Sequence, residues 1–279
     1  MSDSSGKGWL ARTLALFASG KPEPETWHDR LPEEGLSEAD ELMVETLPFE
    51  RLTVSGNEAM DAWTRHREQG RAYPVIVGDD ESLARVAENW SFDDRSPEEI
   101  IGLADGLVHP AGLVAHRQAQ DEAAREYLEK AGEDVDEDYV APVGDWPEEA
   151  DASPGPTVVR DIRTGDPLER VHLLLVPTQD GANVPAHLRW GNWNEVPPAE
   201  YHVAALRSWR ERYGAELVVL TGDVMELRVQ RRPSTRDEAL ELAREHYAFC
   251  ADIVDQGTED LATLAAVLMV SDWWYFWWD

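Results

Sequence analysis

Apolar positions recur along this chain with two periods, roughly 3.6 and 2, and the alternation between them marks out helices and strands. Ser37 opens a short helix with acids Glu38, Asp40 and Glu41 in its first turn, where they favour the positive end of the helix dipole. Ser55 and Glu58 have capping-box spacing, Ala59, Trp63 and Arg67 follow at helical intervals, and Gly70 is a natural stop. Residues 73–77 then read as a short buried strand ending at Gly78-Asp79. Ser96-Pro97-Glu98-Glu99 places a cap, a proline at the first helical position and a box glutamate in one tetrapeptide. A long polar helix is predicted over about 113–130.

The second half is patterned more strongly. Residues 171–176 form a continuous apolar run closed by Pro177, the signature of a buried strand. Pro197-Pro198 opens a helix that Gly214 ends, with His202, Ala205, Leu206, Trp209 and Tyr213 on its inner face. Two strands over 215–220 and 224–229 flank Thr221-Gly222-Asp223, a tight hairpin signal. Thr235 and Glu238 have capping-box spacing at the head of a helix through Ala239, Leu242, Ala243, His246 and Cys250. The helix over 261–270 is apolar nearly all round and is expected inside. A faint echo links the halves: Gly70 to Gly78-Asp79 and Gly214 to Gly222-Asp223 each enclose one strand after a Trp-bearing helix.

The chain ends Trp273-Trp274-Tyr275-Phe276-Trp277-Trp278-Asp279. In a strand the odd and even residues of that run face opposite ways, and both faces would be apolar. A central strand covered on both sides accounts for this most simply; a stacking wall for a sugar or base is the alternative. These elements predict an α+β fold: a mixed or antiparallel sheet holding the strands near 171, 215, 224 and 273, helices packed on it, and the aromatic C-terminal strand in the core. The strand near 73 is expected to extend that sheet.

Composition changes the picture chiefly through charge. Fifty-six acids face 25 bases, a formal charge of −31 on 279 residues. Such a balance argues against nucleic-acid binding, which needs clustered Lys and Arg; it reads as a solvated acidic surface, or as a field that attracts a basic partner. The stretch 133–156 holds nine acids, four prolines and no base, and reads as an acidic linker or a docking strip for such a partner. It divides the chain into a loosely ordered start (1–36), an α/β region (37–132), the linker, and a C-terminal α+β region (157–279). The single cysteine, Cys250, excludes an intrachain disulfide and fits a reducing compartment. Arg12 interrupts the short apolar run over 8–18, which reads as an amphipathic helix rather than a secretory leader, and no stretch is long enough to span a membrane. A cytoplasmic location without membrane association is expected.

The run Leu188-Arg189-Trp190-Gly191-Asn192-Trp193-Asn194, the stretch Trp209-Arg210-Glu211-Arg212-Tyr213-Gly214-Ala215-Glu216-Leu217-Val218, the segment from Tyr247 to Gly257 and the Trp-rich ending together resemble the family called domain of unknown function 4253. The resemblance covers about residues 171–279, and it implies no activity, cofactor or catalytic residue.

Candidate chemistry therefore rests on the residues themselves. Trp190, Asn192, Trp193, Asn194 and Glu195 put two indoles, two amides and a carboxylate into one loop, either as a binding site or as a structural anchor that caps the next helix. His202 and Asp223 are the further ligand-binding candidates, although a lone histidine on an apolar helix face, as His202 is, is usually a hydrogen-bonded core residue. His246 and Cys250 lie four apart, but nothing completes a metal site, and no motif calls for a cofactor. The elbow serine, Walker loop and dinucleotide fingerprint are all missing. The expected function is a non-catalytic binding protein for a basic protein, for example one that neutralises a toxin. The alternative is an enzyme acting on a small polar or sugar-like ligand in a cleft lined by the Trp190–Glu195 loop.

Overall fold

The computed structural model describes residues 36–131 and 140–279. The amphipathic segment expected near the N-terminus, and the part of the acidic stretch over 133–139, lie outside the described residues.

In chain order the elements are α1 (Glu38–Val44), β1 (Glu50–Val54), α2 (Ala59–Gln69), β2 (Tyr73–Gly78), α3 (Asp80–Trp90), α4 (Pro97–Ala104), α5 (Ala111–Ala131), β3 (Val171–Val176), α6 (Val184–Leu188), α7 (Ala199–Tyr213), β4 (Glu216–Leu220), β5 (Val224–Arg228), α8 (Arg236–Phe249), α9 (Leu261–Val270) and β6 (Trp273–Trp277). A π-helical turn, Ile253–Thr258, links α8 to α9. The six strands among the described residues form one mixed sheet in the order β1-β3-β2-β4-β5-β6. Neighbours are antiparallel except β2 and β4, which run parallel and meet through the pair Ile76 and Val219. The fold is α+β, as the periodicities indicate.

Local chemistry sets the element ends. Ser37 caps α1 by accepting from the amide of Asp40, and Ser96 with Glu99 forms a complete capping box on α4. Gly214 takes φ +64 to end α7 and turn the chain into β4. At Ser55 the box spacing builds something else. The Glu58 carboxylate accepts from the Ser55 hydroxyl at 2.7 Å and from its amide at 3.3 Å, and α2 starts only at Ala59, after a turn in which the Gly56 amide donates to Leu168 O at 2.7 Å.

The two glycine-bounded units of the echo lie side by side, β2 next to β4. β2 is buried along its whole length, and its Tyr73 hydroxyl donates to Leu217 O at 2.9 Å.

The aromatic ending does pack into the core, but β6 is the last strand of the sheet and not a central one. Its two faces differ accordingly. Trp274, Phe276 and Trp278 are buried, whereas Trp273, Tyr275 and Trp277 are half-buried. The buried face meets α7 and α8: Phe276 stacks on Trp209 with ring centres 5.3 Å apart, and Phe249 contacts both Phe276 and Trp278 edge to face. The segment from Ser153 to Val159 runs over the opposite face, where Gly155 lies against the Trp273 indole.

Two buried carboxylates anchor this architecture, with opposite electrostatic outcomes. On β5, Glu226 accepts from the amide and hydroxyl of Thr157, at 2.8 and 2.7 Å, and so ties the covering segment to the sheet. Burial pushes its carboxyl up to about 7, against which the Thr157 hydrogen bonds pull only partly. The folded protein therefore holds a proton that the unfolded chain releases, so stability is full below pH 4.5 and falls as pH rises to 7. Glu226→Gln keeps an acceptor for Thr157 and removes that penalty. It is expected to raise stability at pH 8 by about 3 kcal/mol and to leave it unchanged at pH 4, as urea unfolding at the two pH values would measure; an equal effect at both would refute the ionisation argument.

On α8, Glu245 Oε1 accepts from Trp209 Nε1 at 2.5 Å and from Arg212, and lies 2.8 Å from His109 Nε2. Burial alone would push this carboxyl up, but His109 and Arg212 outweigh it and hold it down at about 2.

Candidate functional site

The loop singled out in the sequence is a tight corner between α6 and α7. Gly191, Asn192 and Asn194 all have positive φ, at 117°, 66° and 44°. At Gly191 any side chain would strike Pro197 O, since a Cβ there would sit 2.1 Å from it. The corner is held from below and behind. Trp190 is fully buried, donates from Nε1 to Thr221 O at 2.6 Å, and meets His202 and Trp278 edge to face. His202 is equally buried and donates from Nε2 to Pro197 O at 2.8 Å; burial drops its imidazole to about 3, so it stays neutral. Arg117 on α5 reaches Glu195 O, Ala248 O and Phe249 O at 3.3, 2.6 and 3.1 Å, which pins the corner to the end of α8.

Asn192, Trp193, Asn194 and Glu195 do come together, lining a cleft with His116, Arg117 and Gln120. The volume is about 90 Å³, far below the ~300–1,000 Å³ of ordinary small-molecule sites. Asn194 spends its amide on Asp279 O at 3.2 Å. Trp190 and His202 lie beneath this cleft as packing. Asp223 stands apart in the β4–β5 turn, accepting from Thr221 Oγ1 at 2.9 Å and pairing with Arg85 at 3.3 Å; burial raises its carboxyl. His246 and Cys250 do not converge on a metal: the Cys250 thiol donates to Trp277 O at 2.9 Å, and His246 packs among Trp209, Trp274 and Phe276.

A larger opening lies along β6. This groove of about 580 Å³ runs between the strand and α9, with the π-helical turn at one side and residues 149–153 at the other. Its walls are mostly apolar: Trp273, Trp274, Tyr275 and Trp277 from β6, Leu264, Val267 and Leu268 from α9. Its charged residues are Glu149, Asp151, Asp252 and Glu259, with no lysine or arginine among the lining residues. The His246 Nε2, Trp274 Nε1 and Ser153 Oγ atoms, all from residues that line it, are buried without a hydrogen-bond partner. Burial holds the His246 imidazole at about 3, so the histidine adds no positive charge at neutral pH.

The hydrogen-bond phase of β6 shows which of its backbone groups face this groove's side. Trp278 N donates to Asp223 O and Val229 N donates to Asp272 O, so residues 272, 274, 276 and 278 point their backbone groups at β5. Those of Trp273, Tyr275 and Trp277 point away from it. Ser271 Oγ satisfies both groups of Trp273, donating to its carbonyl at 2.7 Å and accepting from its amide at 3.1 Å, and Cys250 covers the Trp277 carbonyl. Among the described residues nothing pairs with the backbone N–H or C=O of Tyr275.

No helix among the described residues is long and apolar enough to cross a membrane. No curated protein and no solved structure matches the chain. Residues 172–279 match the family model described as Domain of unknown function (DUF4253), so the Trp190 corner and the β6, α8 and α9 walls of the groove fall inside the matched segment, while Glu149, Asp151 and Ser153 lie outside it.

Proposed function

We propose that this protein is a non-catalytic binding protein that engages a basic protein at the groove beside β6. The observation that carries this reading is the lining of the groove: four carboxylates, aromatic walls and, among the described residues, no lysine or arginine. A formal charge of −31 draws a cationic partner in and speeds its encounter, and the groove supplies the apolar area that holds it. Neutralising a toxin domain is one form such binding takes.

The test separates the groove from the charge of the whole molecule. Protein captured from source-cell extract at 50 mM salt should be released at 500 mM. Asp151→Lys with Glu259→Lys should abolish capture, whereas Glu122→Lys with Glu129→Lys, the same charge change on the exposed face of α5, should leave it intact. No capture, or equal loss with both pairs, rejects the proposal.

A further inference from the structure

The geometry points to a specific mode of engagement within that groove, resting on the binding reading above: a single arginine or lysine residue of an extended peptide pairs backbone to backbone with Tyr275. An exposed strand edge offers a row of donors and acceptors that an extended segment can join. Here the row is closed at Trp273 by Ser271, and Cys250 takes the Trp277 carbonyl. Tyr275 is the outward-facing residue of β6 whose N–H and C=O are both without a partner among the described residues. In an antiparallel sheet one residue exchanges both of its hydrogen bonds with one residue opposite, so Tyr275 fits one peptide residue.

Side-chain chemistry selects that residue. Residues directly opposite across an antiparallel pair send their side chains to the same face. The face of Tyr275 is the face of Trp273 and Trp277, over which the chain from Ser153 runs. Glu149 and Asp151 line the groove just before that covering segment. A cationic side chain opposite Tyr275 meets aromatic rings and carboxylates together, which favours a guanidinium or ammonium over a neutral group. The neighbouring peptide residues point the other way, toward the apolar floor that holds Trp274, so small aliphatic flanks fit.

The probe is the tripeptide acetyl-Val-Arg-Val-amide, titrated into the full chain and followed by tryptophan fluorescence and calorimetry. Saturable one-to-one binding is expected. Replacing Arg by citrulline, which keeps the shape and removes the charge, should weaken it at least tenfold. Methylating the central peptide nitrogen, which removes the donor to Tyr275 O, should do the same. Tyr275→Pro removes the outward N–H at an edge position that tolerates proline and should abolish binding, while Tyr275→Val should retain it; cooperative melting confirms that both variants fold. Absence of saturable binding overturns the inference, as does equal affinity for the N-methylated peptide. Peptide binding that survives both backbone changes but is lost with Asp151→Lys and Glu259→Lys leaves the groove as the binding face and removes only the strand pairing. Salt-sensitive capture of a partner without tripeptide binding likewise spares the function and rejects this mode.

Discussion

A chain ending at Asp272 is expected to lose cooperative unfolding altogether. The deletion removes Trp274, Phe276 and Trp278, all buried, and strips Met225 and Leu227 of their partners across the sheet. Taking one large aromatic from a core costs ~3–5 kcal/mol, so the loss of three reaches the ~5–15 kcal/mol by which a whole domain is stable. Circular dichroism on heating would record the change, with near-ultraviolet signal absent at 25 °C. Trp273→Ala with Trp277→Ala alters the half-buried face instead, and that protein should still melt cooperatively. A shortened chain with an undiminished melting temperature would show that the ending is surface and not core.

The second large effect is expected at Glu245. Removing this side chain by Glu245→Ala leaves Trp209 Nε1, Arg212 and His109 facing a buried void where a carboxylate stood. Breaking a buried charge network in this way costs ~3–5 kcal/mol. Glu245→Gln keeps an acceptor and loses only the charge, so it should cost less. The folded-state carboxyl lies below its ordinary value, at about 2 against 4.5. Its ionised form therefore contributes stability that is complete above pH 4.5 and fades as pH falls toward 2. The difference between the natural protein and Glu245→Gln should accordingly be large at pH 7 and small at pH 2.5, measured as shifts in urea midpoint. A difference that holds constant across that range would mean the carboxylate charge contributes nothing.

Much of this fold could be read from local chemistry, and the exceptions have physical reasons. The cap at Ser96, the stop at Gly214 and the hairpin through Gly222 are decided by a few adjacent residues, and the chain obeys them. β1 was not legible: in Glu-Arg-Leu-Thr-Val only Leu52 and Val54 are apolar, and an outermost strand needs no stronger pattern. α3 follows β2 with almost no loop, so Gly78-Asp79 reads as a turn; in fact Asp79 caps the helix by accepting from Ser82 N at 2.9 Å, and Leu83, Val86 and Ala87 form its buried face. The aromatic run announced a strand with two apolar faces, but pairing order is a property of the whole sheet, and nothing within seven residues says that β6 stands at its margin. The same limit governs the candidate sites. The Trp190 loop drew attention because its polar and aromatic residues are contiguous, and its unusual composition serves a strained corner. The groove is assembled from 149–153, 252–259, α9 and β6, and no local window contains it.

The single parallel contact between β2 and β4 has a consequence for how this chain can be divided. β3 touches β1 and β2 but not β4, so within residues 172–279 the first strand has no neighbour at all. A fragment cut at the family boundary would carry a bare apolar ribbon, Leu173-Leu174-Leu175, cut off from the hairpin it travels with. To be sound, that region must borrow a bridging strand from upstream. Expressed by itself it should clump, and adding residues 36–131 in trans is the natural remedy to attempt.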